Sequence, residues 1–190
     1  MQLQSEPIVG VVTFTDPRET GLASEREQYL WERHQALVKL LTSRGITAID
    51  PMKQIRPNWN PDQPFGLRTK AEVDKAVSIL RSGGAEAVII GCWHWTEPML
   101  PIMLVREINL PVLLYAEHNP AWAGSTCLSS TGASFWENAA NENMVRHTRL
   151  QGNAERAVRW ARGASAARKL SRGSLLLWGA SYCLRMEHLQ

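Results

Sequence analysis

The sequence predicts an α/β fold in which a doubly wound parallel sheet of five strands carries helices on both faces. Short apolar runs alternate with amphipathic segments along the 190 residues. Turn residues stand between these segments, as in RGIT, GGAE and INLP. Repeated strand, helix, strand order is typical of parallel sheets, because a parallel pair needs a long crossover connection. The length suits one such domain.

The first half of the chain begins with a predicted strand at residues 8–14, which is rich in β-branched residues and is followed by the polar segment TDPRE. The next helix is predicted to begin with a capping box, Ser24 with Glu27, and to end at Gly45. Residues 46–50 form a short second strand. The following loop, residues 51–68, contains four prolines, and loops of that length are usually functional or mobile.

The second half continues the same alternation. A second capping box, Thr69 with Glu72, opens a helix that Gly83 and Gly84 end, and the third strand, residues 87–90, leads into the motif GCWHWTEP. Residues 116–133 are predicted to be a long polar loop. The other predicted elements are helices at 96–109, 133–143 and 153–172, and strands at 111–115 and 175–178. Five strands with right-handed crossovers favour the flavodoxin-like order.

Composition and charge exclude several classes of protein. The net charge is +3, and the cations form no run that would indicate a nucleic-acid partner. The chain has neither a signal peptide pattern nor an apolar stretch long enough to span a membrane. Three widely spaced cysteines indicate a reducing compartment, so we expect a cytoplasmic protein.

The last predicted helix carries most of the clustered positive charge. We interpret these cations as the solvated side of that helix, with nucleic-acid contact as the less favoured alternative. They are Arg156, Arg159, Arg162, Arg168, Lys169 and Arg172.

Functional side chains concentrate at one edge of the predicted sheet. Ligands of doubly wound folds bind beyond the carboxyl ends of the strands. The loops at that edge are TDPRE, CWHWTEP, YAEHNPAW and WGASYC, and three of the four are rich in charge, imidazole or indole. The opposite edge carries only turn sequences. This asymmetry predicts a ligand site at the carboxyl edge.

Metal, thiol and phosphate chemistry are each poorly supported at this edge. Cys92 and His94 lack the second pair of ligands that a zinc site needs. A thiolate pair from Cys92 or Cys127 with His94 or His118 matches no nucleophile signature. The first loop, TDPRE, is not rich in glycine; Asp16 and Glu19 would repel an anion, whereas Arg18 would attract one.

Sugar or polyol binding fits the residue types better, because sugars need an aromatic ring against their C–H face and polar groups for their hydroxyls. The candidates are Trp93, Trp95, Trp122, Arg18, His118 and Asn119. The alternative for the tryptophans is core packing. The alternative for Arg18 is a salt bridge with Glu25 or Glu27. His34, on an apolar helix face, is interpreted as structural.

Five segments together carry a family resemblance. They are IVGVVTFTDPRE, AEVDKAV, AVIIGCWHWTEP, PVLLYAEHNPAW and SLLLWGASYCLRMEH. They resemble the N-terminal region of the L-fucose/L-arabinose isomerase superfamily, with the closer likeness to L-fucose isomerase-like proteins, over essentially the whole chain. The family interconverts aldose and ketose sugars through an enediol with a manganese-type divalent ion. Its metal-binding and proton-transferring residues belong to a second and a third domain.

The resemblance therefore implies a domain that binds substrate without performing the chemistry. Residues 1–179 would be the flavodoxin-like N-terminal domain, and residues 180–190 the truncated start of the second. By position, the substrate-binding residues would be Arg18, Trp93 and His118. No residue would be catalytic or bind metal, and no cofactor would belong to this chain. Trp95 and Glu97 do not match the family closely, and Glu187 has no partner carboxylate.

The resemblance also implies a homo-oligomer, because this domain of the family reaches over the active site of a neighbouring subunit. We expect the chain alone to be inactive as an isomerase. The alternative is a stand-alone module that binds a sugar or mediates assembly without catalysis. A phospholigand or response domain is a third possibility, which Asp16 and Pro17 in the first loop disfavour.

Overall fold

A computed structural model describes residues 6–18 and 23–174. Its five strands form one sheet and all pair in parallel. The strands are β1 (Ile8–Thr13), β2 (Thr47–Ile49), β3 (Ala87–Gly91), β4 (Val112–Ala116) and β5 (Thr148–Gln151). The helices are α1 (Ser24–Ser43), α2 (Met52–Ile55), α3 (Lys70–Ser82), α4 (Met99–Ile108), α5 (Gly124–Asn138), α6 (Glu142–Val145) and α7 (Ala154–Ser171).

The strand order is β2-β1-β3-β4-β5, which confirms the predicted doubly wound, flavodoxin-like α/β sheet. The three central strands are almost wholly buried because they are continuous apolar runs, as parallel strands covered by other elements require. Helix α1 packs with α7, whereas α3 contacts α4 and α4 contacts α5. The placement of helices on both faces of the sheet stays a prediction.

The two predicted capping boxes have opposite outcomes. The box at α3 is confirmed, since the amide of Glu72 donates to Thr69 Oγ1 at 3.3 Å and the amide of Thr69 donates to Glu72 Oε2 at 3.2 Å. The box at α1 is wrong. Ala23 is the N-cap, Ser24 donates to Asp62 Oδ1 at 2.9 Å, and Glu27 turns into the protein interior.

The polar loop predicted at residues 116–133 is also wrong in its second half, where α5 begins at Gly124. Its buried residues include Cys127, Leu128, Thr131 and Phe135, which share one helical face. The Gly and Ser content hid this stripe. Gly124 is required by close packing, because a Cβ there would lie 2.6 Å from the carbonyl oxygen of Cys92.

The fifth strand of the described sheet, β5, was not predicted. It is an edge strand with alternating half-buried and exposed residues, so it lacks the apolar run that identifies a central strand. The strand predicted at residues 175–178 lies outside the described residues, as does the predicted domain boundary after residue 179. Within residues 6–18 and 23–174, no helix has the length and apolar character needed to cross a membrane.

Candidate functional site

The candidate site lies at the carboxyl edge of the sheet, where the segments that follow β1, β3 and β4 meet the first turns of α1. These segments are residues 14–18, 92–97 and 117–123. The end of the proline-rich loop joins them, since Phe14 forms a parallel bridge with Leu67. We call this group of residues the carboxyl-edge site.

A buried carboxylate, Glu27, holds the base of the site together. Its side chain is fully buried, and its Oε2 accepts hydrogen bonds from Thr15 Oγ1 at 2.9 Å and from the amide of Phe65 at 2.8 Å. Its Oε1 accepts two hydrogen bonds from the guanidinium of Arg26, at 2.9 and 3.0 Å. One side chain of α1 therefore connects the first loop with the proline-rich loop.

The two loops also approach each other through their backbones. A Cβ on Gly66 would lie 2.3 Å from the carbonyl carbon of Phe14, so only glycine fits there. Arg68 donates to the carbonyl oxygens of Asp16 at 3.2 Å and of Arg18 at 2.7 Å. These contacts fix the backbone that presents Arg18.

Arg18 forms an ion pair at the rim of the site. Its Nε donates to both carboxylate oxygens of Asp16 at 3.0 Å and lies 4.0 Å from Glu97 Oε1 in the segment after β3. Burial opposes the ionisation of Asp16, but the hydrogen bonds from Arg18 outweigh it and hold the pKa of Asp16 below its ordinary value. Among the described residues, Arg18 pairs with Asp16 and Glu97, and not with Glu25 or Glu27, the helix carboxylates considered as alternatives.

Half-buried rings form a second part of the site. The rings of Tyr29 and Trp122 stack with their centroids 4.8 Å apart, and His94 meets Trp122 edge-on at 5.4 Å. The amide of Asn119 donates to the hydroxyl of Tyr29 at 3.3 Å. The site therefore combines an aromatic surface with an amide and an ion pair.

His94 provides a test of this packing. Burial disfavours the imidazolium form, so the pKa of His94 is lowered from the ordinary value of 6.5. We expect His94 to be neutral at pH 7 and to titrate below 6.5 when its ring is followed by NMR. The unfolded chain then takes up the proton first, so His94 makes folding less favourable as the pH falls below 6.5.

The variant Trp122→Ala should move the pKa of His94 upward, because water reaches the imidazole once the indole is removed. The matched control is Trp136→Ala on α5, which removes an indole that is 54% exposed. The control should leave the titration of His94 unchanged. If His94 has the same pKa in Trp122→Ala and in Trp136→Ala, burial by Trp122 is not the cause of its lowered pKa.

Trp93 lies below this surface. Its side chain is 2% exposed, its Nε1 donates to Thr13 Oγ1 at 3.0 Å, and its ring meets Tyr115 edge-on at 5.5 Å. The ring also folds back over Gly91, where a Cβ would lie 2.4 Å from the indole. In this structure a ligand reaches the ring of Trp93 only after the groups above it move.

Trp93 ends a buried chain of polar groups. His34 Nδ1 lies 2.9 Å from Thr13 Oγ1, and His34 Nε2 lies 3.0 Å from Asp50 Oδ1. Asp50, His34 and Thr13 thus place a carboxyl group, an imidazole and a hydroxyl next to one another, which are the groups of a catalytic triad. Thr13 and His34 are fully buried, however, so no substrate reaches the hydroxyl and the arrangement is structural.

His118 lies on the other side of the site from Arg18. It is exposed, and Gln151 Nε2, at the end of β5, lies 3.2 Å from its Nδ1. It follows β4, which is separated from β1 by β3, so the two loops start roughly 10 Å apart across the sheet. The structure thus places Arg18 and His118 at opposite sides of the edge and Trp93 beneath it, and their substrate-binding role stays a prediction.

The two described cysteines lie near each other, Cys92 at the start of the segment after β3 and Cys127 on α5. Cys92 and Cys127 are both buried; Cys92 Sγ lies 3.9 Å from the carbonyl oxygen of Ile90, and Cys127 Sγ lies 3.9 Å from Thr131 Oγ1. The interaction with the Cys127 thiol and burial together raise the pKa of Cys92 well above its ordinary value. A raised pKa disfavours the thiolate, so Cys92 does not have the character of a nucleophile.

Sequence reasoning missed Glu27 and Tyr29 as parts of the site. Glu27 was interpreted as a capping residue, although it precedes Leu30 by three residues and His34 by seven, which places it on the buried face of α1. Tyr29 lies beside that face. The helical period was the signal that could have identified the buried carboxylate.

Among residues 6–18 and 23–174, no group of three or more His, Cys, Asp or Glu side chains is arranged to hold a metal ion. The chain matches no model of a protein family, and comparison with curated proteins finds no relative.

Proposed function

We propose that the carboxyl-edge site binds an open-chain sugar, and that the chain is the substrate-contacting and oligomerisation domain of an L-fucose isomerase-like aldose–ketose isomerase. One observation carries the sugar proposal. The stacked rings of Tyr29 and Trp122 lie at the same sheet edge as the ion pair of Arg18 and Asp16. The isomerase part rests on the family resemblance of the sequence.

The residue types of the site match the two needs of a sugar. Trp122, which is only half-buried, offers an apolar surface for the C–H face of the ligand. Arg18, Glu97 and Asn119 offer donors and acceptors for hydroxyl groups. His94 Nδ1 lies 3.4 Å from the carbonyl oxygen of Trp95, so a neutral imidazole that donates there keeps Nε2 to accept a hydrogen bond from a hydroxyl. In this proposal Trp122 contacts the sugar, and Trp93 supports the loop from below.

The division of labour in the proposal follows the family. The isomerisation transfers a proton between neighbouring carbons through an enediol, and a divalent metal ion stabilises the charge on the oxygens. We place those groups in other domains of the enzyme. The contribution of this chain is to hold and orient the sugar at the active site of a neighbouring subunit.

The test is sugar binding by the chain itself, followed by NMR on the indole N–H of Trp122 and the side-chain amide of Asn119. We expect L-fucose, L-arabinose or the polyol L-fucitol to shift these signals saturably, with a dissociation constant on the order of 1 mM, equivalent to about 4 kcal/mol. Trp122→Ala and Arg18→Gln should each weaken binding at least about tenfold, and Trp136→Ala should not.

Two results would contradict the proposal. If none of the three ligands causes a saturable shift, the chain does not bind a sugar at this site. Interconversion of aldose and ketose by the purified chain with added Mn²⁺ would contradict the division of labour, because the chemistry would then reside here. Saturable binding by a chain that neither assembles nor completes an isomerase would favour the stand-alone module.

A further inference from the structure

A cavity lies at the opposite edge of the sheet from the carboxyl-edge site. It has a volume of about 270 Å³ and opens between the C-terminal ends of α3 and α7, beside the turn at Gly84 and Ala85 that leads into β3. The cavity is large enough for a tetrahedral oxyanion and its first water molecules.

Three guanidinium groups line this cavity. Arg81 comes from the last turn of α3, Arg168 from the last turn of α7, and Arg172 from the residue after α7. Among the described residues that line it, none is a carboxylate. Like charges that converge on one cavity repel each other, and the repulsion is relieved when an anion lies between them.

Arg168 is the most informative of the three. Its Nε is buried from solvent, and within residues 6–18 and 23–174 this atom has no hydrogen-bond partner and the guanidinium makes no ion pair. A buried donor without a partner costs free energy, more so when it is charged. The next residue shows the contrast, because Lys169 lies 3.5 Å from the carboxylate of Glu86.

Helix dipoles account for each cation singly but not for their convergence. Cations in the last turn of a helix complement its dipole, which suffices for Arg168 and Lys169 on α7 and for Arg81 on α3. The dipoles do not explain why Arg81 and Arg168, which come from two helices, line one cavity. Arg81 uses one amine to donate to the carbonyl oxygen of Glu107, and this contact anchors it at the cavity wall.

We propose that Arg81, Arg168 and Arg172 form a binding site for a phosphate group. Arginine recognises tetrahedral oxyanions through paired hydrogen bonds, which a lysine cluster would not supply with the same geometry. The sequence argument against phosphate concerned only the first loop at the other edge. Two of the three arginines belong to the set that the sequence assigned to the solvated side of the last helix.

The phosphate group can be free or can belong to a small organic molecule. Arg168 also lines an adjoining cavity of about 500 Å³, whose wall includes Asn109, Asn143, Ser171 and the carboxylate of Glu142. The amides and the hydroxyl could hydrogen-bond to the hydroxyl groups of an organic molecule that carries the phosphate. This site is independent of the carboxyl-edge site and does not rest on the proposed function.

The test is isothermal titration calorimetry of the whole chain with inorganic phosphate and with glycerol 3-phosphate, at an ionic strength held constant with sodium chloride. We expect saturable binding of at least one of them and a thermal midpoint that rises with its concentration. Tighter binding of glycerol 3-phosphate would assign the site to a phosphate monoester, and equal binding would assign it to free phosphate.

The variants are Arg168→Gln and Arg172→Gln, each of which should weaken phosphate binding at least about tenfold through the loss of charged hydrogen bonds. The matched control is Arg156→Gln, which removes the same charge from an exposed position on the same helix. Two results would overturn the proposal. One is the absence of saturable binding by either probe. The other is equal weakening by Arg156→Gln and the two site variants.

Discussion

Replacing Glu27 by Ala is expected to lower the free energy of unfolding by about 3–5 kcal/mol, because it removes a fully buried carboxylate that accepts four hydrogen bonds. The same change removes the acceptor for Thr15 Oγ1 and for the amide of Phe65. Arg26 is nearly buried, with 13% of its side chain exposed, so solvent compensates little. Urea denaturation followed by circular dichroism measures the loss.

Two variants bracket this result. Glu27→Gln keeps an acceptor oxygen and removes the charge. Its free energy of unfolding should therefore lie between that of the wild type and that of Glu27→Ala. Glu25→Ala removes a carboxylate from an exposed position two residues earlier and should cost less than about 1 kcal/mol. If Glu27→Ala and Glu25→Ala cost the same, Glu27 does not hold the two loops together.

Replacing Trp93 by Ala is expected to lower the free energy of unfolding by about 3–5 kcal/mol, the range for a large aromatic side chain removed from a core. The indole is 2% exposed and packs against Tyr115 and Gly91, and its loss also removes the hydrogen bond from Trp93 Nε1 to Thr13 Oγ1. Thermal or urea unfolding measures the change.

Trp136→Ala is the control for Trp93→Ala, since it removes the same side chain from an exposed position and should change stability by less than about 0.5 kcal/mol. The two interpretations of Trp93 predict different outcomes. If Trp93→Ala leaves stability unchanged and weakens sugar binding, the indole contacts the ligand directly. If it destabilises the fold, the residue acts from below, as its burial indicates.

The fold could be predicted because its signals are local. The apolar runs at β1, β3 and β4 are continuous, and the capping box at α3 is formed by residues three apart in sequence. The failures have local causes as well. Edge strand β5 alternates between half-buried and exposed residues, and α5 has a Gly- and Ser-rich composition that is typical of loops.

The position of the carboxyl-edge site could be predicted from the sequence, but the set of side chains that face outward there could not. Its edge follows from strand order, because the segments after parallel strands meet at one side of the sheet. Which side chains face outward depends on packing. Trp93 and Trp122 both follow buried strands, but Trp93 is buried in the core, whereas Trp122 stacks on Tyr29. Tyr29 belongs to α1, which is far from Trp122 in sequence.

By itself the sequence determined the parallel α/β class, the edge that carries charge and aromatic rings, and the residue types that the site offers. Only the tertiary structure decided that Glu27 is a buried connector, that Trp93 lies beneath the site, and that Arg81 lines the same cavity as Arg168. The physical reason is that periodicity and capping act over a few residues, whereas burial and charge convergence depend on residues that are distant in sequence.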